Sequence, residues 1–280
     1  MIDRATIAAI RFGYGLPLAD DMAADPAALL AGPDLAAREW PGVGLAEALP
    51  LYRVATAARR QVPQGGVAEQ KAYRAALRAV RLQGRAAARV TLARAVGSPD
   101  GFRERLVQFW ADHFTAVERF RQDVALPPAL VEDAIRPHVA RRFGDMLKAA
   151  VLHPAMLMYL DQAQSIGPAS PVGQRRGRGL NENLARELIE LHTLGVGAAY
   201  SQADVTEMAE LLTGLRFDPG FGTDFEPRWA EPGPERVLGR VYAGPGAAPV
   251  LEALDDLAVR PETARHIARK LAVHFVADQP

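Results

Sequence analysis

The chain is predicted to be all-α: one irregular multi-helix domain over residues 1–280, with room for a short β-hairpin near 225–242. Three observations predict this class. Ala, Leu and Arg dominate while Ile and Thr are sparse, a mixture that favours helix over sheet. Helix start and stop residues recur along the chain at helix-length intervals. Strand-like alternation is confined to one Pro-, Gly- and aromatic-rich stretch, 216–250. Hydrophobic residues make up 49% of the chain, ample for a core.

The elements follow in order. Residues 1–50 are broken by glycines and prolines, so only short helices such as Thr6–Phe12 and Pro26–Leu30 fit. A helical pattern over 51–60 meets the turn Pro63-Gln-Gly-Gly66, and a long helix then runs from about Glu69 to Val96. Asp100 can cap a helix over about 101–117. Pro127-Pro128 can open another, and Pro137 predicts a break near Arg136, because proline lacks the donor an interior helical turn needs. Helix resumes to about Leu152 and is interrupted at His153-Pro154. The run AMLMYL then ends at Asp161. Residues 162–180 read as a long loop, and long ordered loops often carry function. Asn181 caps the next helix and Gly195 stops it. Ser201-Gln-Ala-Asp204 is a capping box for a helix ending at Gly214. Two short strands fit near Phe225–Trp229 and Val237–Tyr242, and a last helix spans Pro261 to Phe275.

Composition removes several function classes. With no cysteine there is no disulfide framework, zinc-thiolate site or thiol nucleophile. No apolar run reaches the roughly 18 residues a membrane-spanning helix needs. The N-terminus, MIDRATIAAIRFGYG, has an early Asp3 and too short an apolar core for a signal peptide, so a cytoplasmic product is expected. No Gly-x-Ser-x-Gly elbow, phosphate-binding P-loop or GxGxxG occurs. The six histidines show no HExxH or HxxxH spacing, so no metal site is expected. His113 and Asp161 are the candidates should one assemble from separate helices. The cofactor is left unknown by these residues.

The densest patch is RRGRGLNENLARELIELHTLG, residues 175–195. On a helical wheel Asn183, Arg186, Glu187 and Glu190 share a sector about 100° wide, while Leu184, Leu188, Ile189, Leu191 and His192 fill the opposite side. Asn181 and Asn183 are poor helix-interior residues, so their crowding asks for a reason beyond solubility. Arg175, Arg176 and Arg178, set among glycines, precede the helix N-terminus, a pattern suited to an anion. Arg175, Arg176, Arg178, Asn181, Asn183 and Arg186 are therefore anion- or ligand-binding candidates, and Glu187 and Glu190 candidate acid–base groups. The plainer reading is a solvated polar face, or an ion-pair and amide network that sets helix register. A second pattern lies on the long helix. Lys71, Arg74, Arg78, Arg81, Arg85 and Arg89 form a basic stripe, within a segment (51–100) holding ten Lys/Arg against two Asp/Glu. Residues 1–50 are acidic, with three Arg against seven Asp/Glu, so a solvated face turned toward them is the plain alternative.

Beyond these readings, GRGLNENLARELIELHTLGV followed by YSQADVTEMAELLTG resembles the hallmark of a bacterial uncharacterised family, domain of unknown function 1800. RFGYG, LVQFWADHFT, AIRPHV, HPAMLMYLDQAQSIGP and ARHIARKLAVHFVAD resemble it in the same order, across nearly the whole chain. The resemblance implies a largely helical protein with no established reaction. It also implies a neighbouring-gene partner, a sulfatase-like protein of the family domain of unknown function 1501. It departs in two places. Chains of that family continue past the FVAD segment, which implies a further C-terminal helical portion beyond Pro280. Many also carry a histidine in the segment matching Trp229-Ala-Glu-Pro, where this chain has Ala230. Three readings stay open: a small-ligand protein or enzyme at the 162–180 loop and the Asn181 helix, a non-catalytic interaction or scaffold protein, and nucleic-acid binding through the stripe, which ranks last because no aromatic set accompanies the arginines.

Overall fold

The computed structural model describes residues 4–15, 32–177, 179–220 and 222–280; the expected helix at Pro26–Leu30 and the side chain of Arg178 lie outside them. Among the described residues, thirteen α-helices and two antiparallel strand pairs carry the regular structure, as the composition requires. None of these helices is long and apolar enough to cross a membrane. The residues form two compact units, Met1–Arg141 with Leu271–Pro280, and Arg142–Lys270.

In the first unit, α1 spans Arg4–Phe12 and α2 Leu35–Glu39. α3 (Leu45–Gln61) and α4 (Val67–Gly97) are joined by a 3₁₀ turn, Val62–Gln64, where the Pro-Gln-Gly-Gly turn was expected. Each begins with a glycine amide donating to the Glu three residues on, Gly44 to Glu47 at 3.1 Å and Gly66 to Glu69 at 2.7 Å. The two helices pack along Ala48, Leu49, Tyr52 and Ala55 of α3 and Ala76, Leu77, Val80 and Ala87 of α4. α5 (Gly101–His113) is capped by Asp100, whose carboxylate accepts the Arg103 amide at 2.9 Å. It stops at His113, short of the expected residue 117, where Phe114 leaves helical geometry.

α6 (Leu126–Leu130) opens on the expected proline pair and widens into a π turn, Val131–Ile135, followed by a 3₁₀ turn, Arg136–His138. The break expected at Arg136 is this widening. Pro137 cannot donate to the carbonyl four residues back, and the turn before it relaxes, with Arg136 N–H reaching the Val131 carbonyl. The π turn places two adjacent carboxylates on different helices. Asp133 accepts the Leu45 amide at 2.6 Å, at the N-terminus of α3. Glu132 takes both terminal nitrogens of Arg94, at 2.6 and 3.0 Å, while Arg94 Nε donates to the Trp40 carbonyl. Nearby, Arg136 makes a two-pronged pair with Glu104, both contacts 2.8 Å, and donates to Asp34 at 3.0 Å. Gly42 leaves room for this network: a Cβ there would press on the Glu132 carboxylate that Arg94 holds.

In the second unit, α7 (Phe143–Val151) ends before His153, whose Nδ1 accepts the Ala155 amide and so caps α8 (Pro154–Tyr159). Asp161 turns the chain in a left-handed conformation, φ 59°. The 162–180 segment holds a 3₁₀ turn (Gln162–Gln164) and a single helical turn, α9 (Gly173–Arg176). α10 (Asn183–Glu187) passes into a π turn, Leu188–Thr193, and ends at Gly195, φ 94°, as its glycine predicted. α11 (Gln202–Leu211) starts with both halves of the expected Ser201–Asp204 capping box.

Two hairpins follow, β1 (Leu215–Asp218) with β2 (Gly222–Phe225), and β3 (Glu235–Val237) with β4 (Arg240–Tyr242). The second lies in the region predicted for a hairpin. The strand expected at Phe225–Trp229 is instead the last residue of β2 and a turn, because Pro227 has no N–H for a ladder. α12 (Ala248–Val259), not anticipated, carries Val250, Ala253, Leu254 and Leu257 at helical spacing onto α7. α13 spans Pro261–Phe275 as predicted.

Arg136 and Glu104 are almost fully buried, 7% and 2% exposed, so removing one partner strands a charge. Arg136→Met should cost about 3–5 kcal/mol in chemical denaturation. Arg136→Met combined with Glu104→Leu should recover most of that loss; additive losses would show that the pair is not coupled.

Candidate functional site

The predicted ridge forms at the start of α10. The N-cap is Glu182 and not, as expected, Asn181, which stands one residue earlier: its Oδ1 accepts the Asn183 amide at 2.9 Å, while its own amide donates to Ser165 Oγ and its side-chain nitrogen to the Leu160 carbonyl. Asn181 is thereby engaged in holding the 162–180 segment against the helix, and Asn183 is exposed. Arg186 donates to Glu190 at 3.3 Å, to Glu182 at 3.0 Å and to Gln202 at 3.0 Å. Thr206 and Gln202 of α11 also donate to Glu182, and with Arg186 they hold its carboxyl below the usual range. The ridge is thus a partly exposed network that ties α10 to α11. Glu187 is half-buried without a donor among the described residues; burial, then Glu190, raises its pKa.

Arg175 and Arg176 do not converge; Arg178 lies outside the described residues. Arg175 Nε donates to the Pro171 carbonyl, and Arg176 lies over the Trp229 ring, 5.8 Å from its centroid. His192 is buried, and burial followed by the Lys270 charge pushes it down to about 3, so it is neutral in the folded chain. The π turn changes one expectation of the wheel. Its extra residue rotates later positions by roughly 100°, and Leu191, expected on the apolar side, is 43% exposed. The carbonyl of Leu191 accepts from His266 Nε2 at 3.1 Å. Of the two metal candidates, His113 is buried among Phe109, Trp110 and Phe114 in the first unit. Asp161, in the second, accepts from Gln164 at 3.2 Å.

A more pronounced concentration of charge was not anticipated. The 162–180 segment is laced to the 226–231 turn: Gly167 N–H to the Trp229 carbonyl, Val172 N–H to the Arg228 carbonyl, and Ala169 N–H to Glu231 at 2.9 Å. This brings Glu231 beside Glu210 of α11 and Glu235 of β3, and the three line a cavity of about 130 Å³. Ala230 lines it too. Burial, then the charges of Glu210, Glu207 and Glu231, push Glu235 up to about 7. Burial followed by Glu231 and Glu207 raises Glu210 as well. Tyr242 of β4 faces the same space and donates to Asp256 of α12 at 2.7 Å. The only local signal was Glu207 and Glu210 one turn apart; their convergence with Glu231 and Glu235 depends on the chain returning through two hairpins.

The residues of the basic stripe lie on α4. Lys71, Arg74, Arg78, Arg81, Arg85 and Arg89 are all exposed, and none has an ion-pair partner among the described residues. The stripe runs about 27 Å, from the helical rise per residue. Elsewhere in the first unit, Asp34, Arg103, Glu132 and Arg136 border a cavity of about 600 Å³, with each guanidinium facing a carboxylate.

Two outcomes follow. A folded pKa raised above the unfolded value gives stability at low pH that is lost as pH rises through about 7. Glu235→Gln should therefore raise the melting temperature at pH 8 by a few degrees, with the gain shrinking at pH 5; a loss at pH 8 would mean the carboxylate is paired. Arg186→Met should cost less than about 1 kcal/mol, since its pairs are partly exposed; a larger loss in thermal or chemical melts would mark the ridge as a core support.

Comparison with known proteins places these features in one family. A match to Protein of unknown function (DUF1800) covers residues 9–280. No curated protein and no solved structure matches the chain. Matched from within its first helix to its last residue, with the amide-and-acid helix inside the match, this chain belongs to the DUF1800 family.

Proposed function

We propose that this chain is a non-catalytic helical interaction protein and that the basic stripe of α4 is its docking face for an acidic surface on a partner protein. The observation that carries this reading is the set of six exposed cations on one helix face, unmatched by carboxylates among the described residues. Ala76, Leu77, Val80 and Ala87 turn the other side of α4 into the core, so the stripe is held on a rigid element rather than on a loop. Leu82 and Leu92, 55% and 67% exposed, lie along the same helix and offer apolar contact to a protein partner. The ridge on α10 supports the same reading, because Arg186 is committed to Glu182, Glu190 and Gln202. An anion held by Arg175 and Arg176 is less well supported, since Arg176 rests on Trp229.

The partner implied by the family resemblance is the sulfatase-like neighbour of the domain of unknown function 1501. Co-expression of the two full chains, with the sulfatase-like protein tagged, tests this. The parent should be captured, with capture weakening as salt rises, and Arg78→Glu, Arg81→Glu and Arg85→Glu together should abolish it. Undiminished capture of the triple variant would overturn the stripe as the docking face. Binding to random duplex DNA at low salt, lost in the same variant, would reassign it to nucleic acid.

A further inference from the structure

We propose that an apolar cavity beside α4 in the first unit binds a medium-chain fatty acid as its carboxylate. The cavity measures about 280 Å³ and is walled by α4, the turn after α5, and α6 with its π turn. Local sequence creates it. Gly84, Ala87 and Ala88 give α4 almost no side chain on that face, so the opposing elements leave a hollow there. Ala87, Phe114 and Leu130 are buried and form its floor, while Ala88, Thr91 and Thr115 are exposed at its mouth.

The wall selects an apolar body. Thr91 Oγ1 spends its proton on the Ala87 carbonyl at 3.2 Å, and Thr115 Oγ1 on the Asp112 carbonyl at 2.5 Å. Glu132, the one charged side chain of the wall among the described residues, gives both carboxylate oxygens to Arg94, at 2.6 and 3.0 Å. Pro127 and Pro128 have no amide N–H to offer. A polar guest would lose its water without finding donors, whereas an alkyl chain loses nothing. The rim selects the charge. With Gly84 at zero on the wheel of α4, Ala88 falls near 40°, and Arg81 and Arg85 at about 60° and 100°. Both arginines are exposed, with no ion-pair partner among the described residues, so a carboxylate at the mouth meets their guanidiniums. Volume selects the length. An apolar cavity of about 150 Å³ accepts benzene with its six carbons, and in the same ratio about 280 Å³ has room for roughly ten, the length of decanoate.

The probe is decanoate, with octanoate and hexanoate as shorter homologues and 1-octanol as the uncharged counterpart of octanoate. Each is titrated into the full chain at low salt by calorimetry, below its micelle-forming concentration, with ¹⁵N chemical-shift mapping. The expected result is one decanoate per chain, shifts centred on Gly84, Ala88, Phe114 and Val131, and weaker binding of octanol than of octanoate. Each two methylenes removed should weaken binding about tenfold, as lost apolar burial does. Ala88→Trp fills the mouth and keeps every cation of the stripe, so it should abolish binding whether or not the stripe docks an acidic partner. Thr91→Leu, also at the mouth, decides the matter if Ala88→Trp compromises folding. Arg81→Gln with Arg85→Gln should weaken decanoate about fivefold, since both charges are exposed. Five results would overturn the proposal: no saturable decanoate binding, affinity independent of chain length, octanol equal to octanoate, binding unchanged by the folded mouth-filling variant, or binding unchanged in the double arginine variant.

Discussion

An arginine side chain cannot shed its proton in a protein, so each buried guanidinium must be met by a carboxylate. The first unit is organised around that constraint. Arg94 and Arg136 lie under the surface and take their counter-charges from Glu132, Glu104 and Asp34, which sit on three different elements. Because both main pairs are two-pronged, they set the rotation of α4, α5 and α6 about their axes as well as their separation. Glu104 pulls Arg136 toward its charged form against the effect of burial, and Asp34 is held below its usual pKa by the Ala37 amide and Arg136 despite burial. The network ties α4, α5 and the start of α3 to the Val131–His138 segment.

The two π turns do comparable work. In each, one extra residue re-aims the side chains that follow it. At Val131–Ile135 the widening lets adjacent Glu132 and Asp133 reach α4 and the start of α3. At Leu188–Thr193 it exposes Leu191 and leaves its carbonyl to His266, while Thr193 Oγ1 donates to the Leu188 carbonyl at 2.6 Å and closes the wide turn. Neither is a defect, since the orphaned backbone groups find side-chain or backbone partners.

Charge is sorted between the units in a way the net value of zero conceals. Positive charge lies on an open helix face in the first unit, where water screens it and a large partner can reach it. Negative charge is gathered in a small space in the second, where low polarity strengthens mutual repulsion and shifts protonation. In the second unit the charges of the α10 ridge satisfy one another and join α10 to α11.

Helix class, most helix starts and the basic stripe were legible in the sequence because they depend on neighbours three or four residues apart. Asp100, Ser201 and Gly195 act where the chain places them. α12 was missed although Val250, Ala253, Leu254 and Leu257 are correctly spaced, because the flanking Gly244–Pro249 stretch reads as loop; Pro249 is tolerated there only as a first-turn residue. The ridge composition was visible, but not which donors each acid would find, since Gln202 and Thr206 come from the next helix. The acid cavity was invisible: Glu210, Glu231 and Glu235 are unremarkable apart, and only the returning hairpins and the lacing of 162–180 onto 226–231 bring them together. Local periodicity is written in short-range sequence; burial and charge coupling arise from long-range closure, and that is what tertiary structure alone decided.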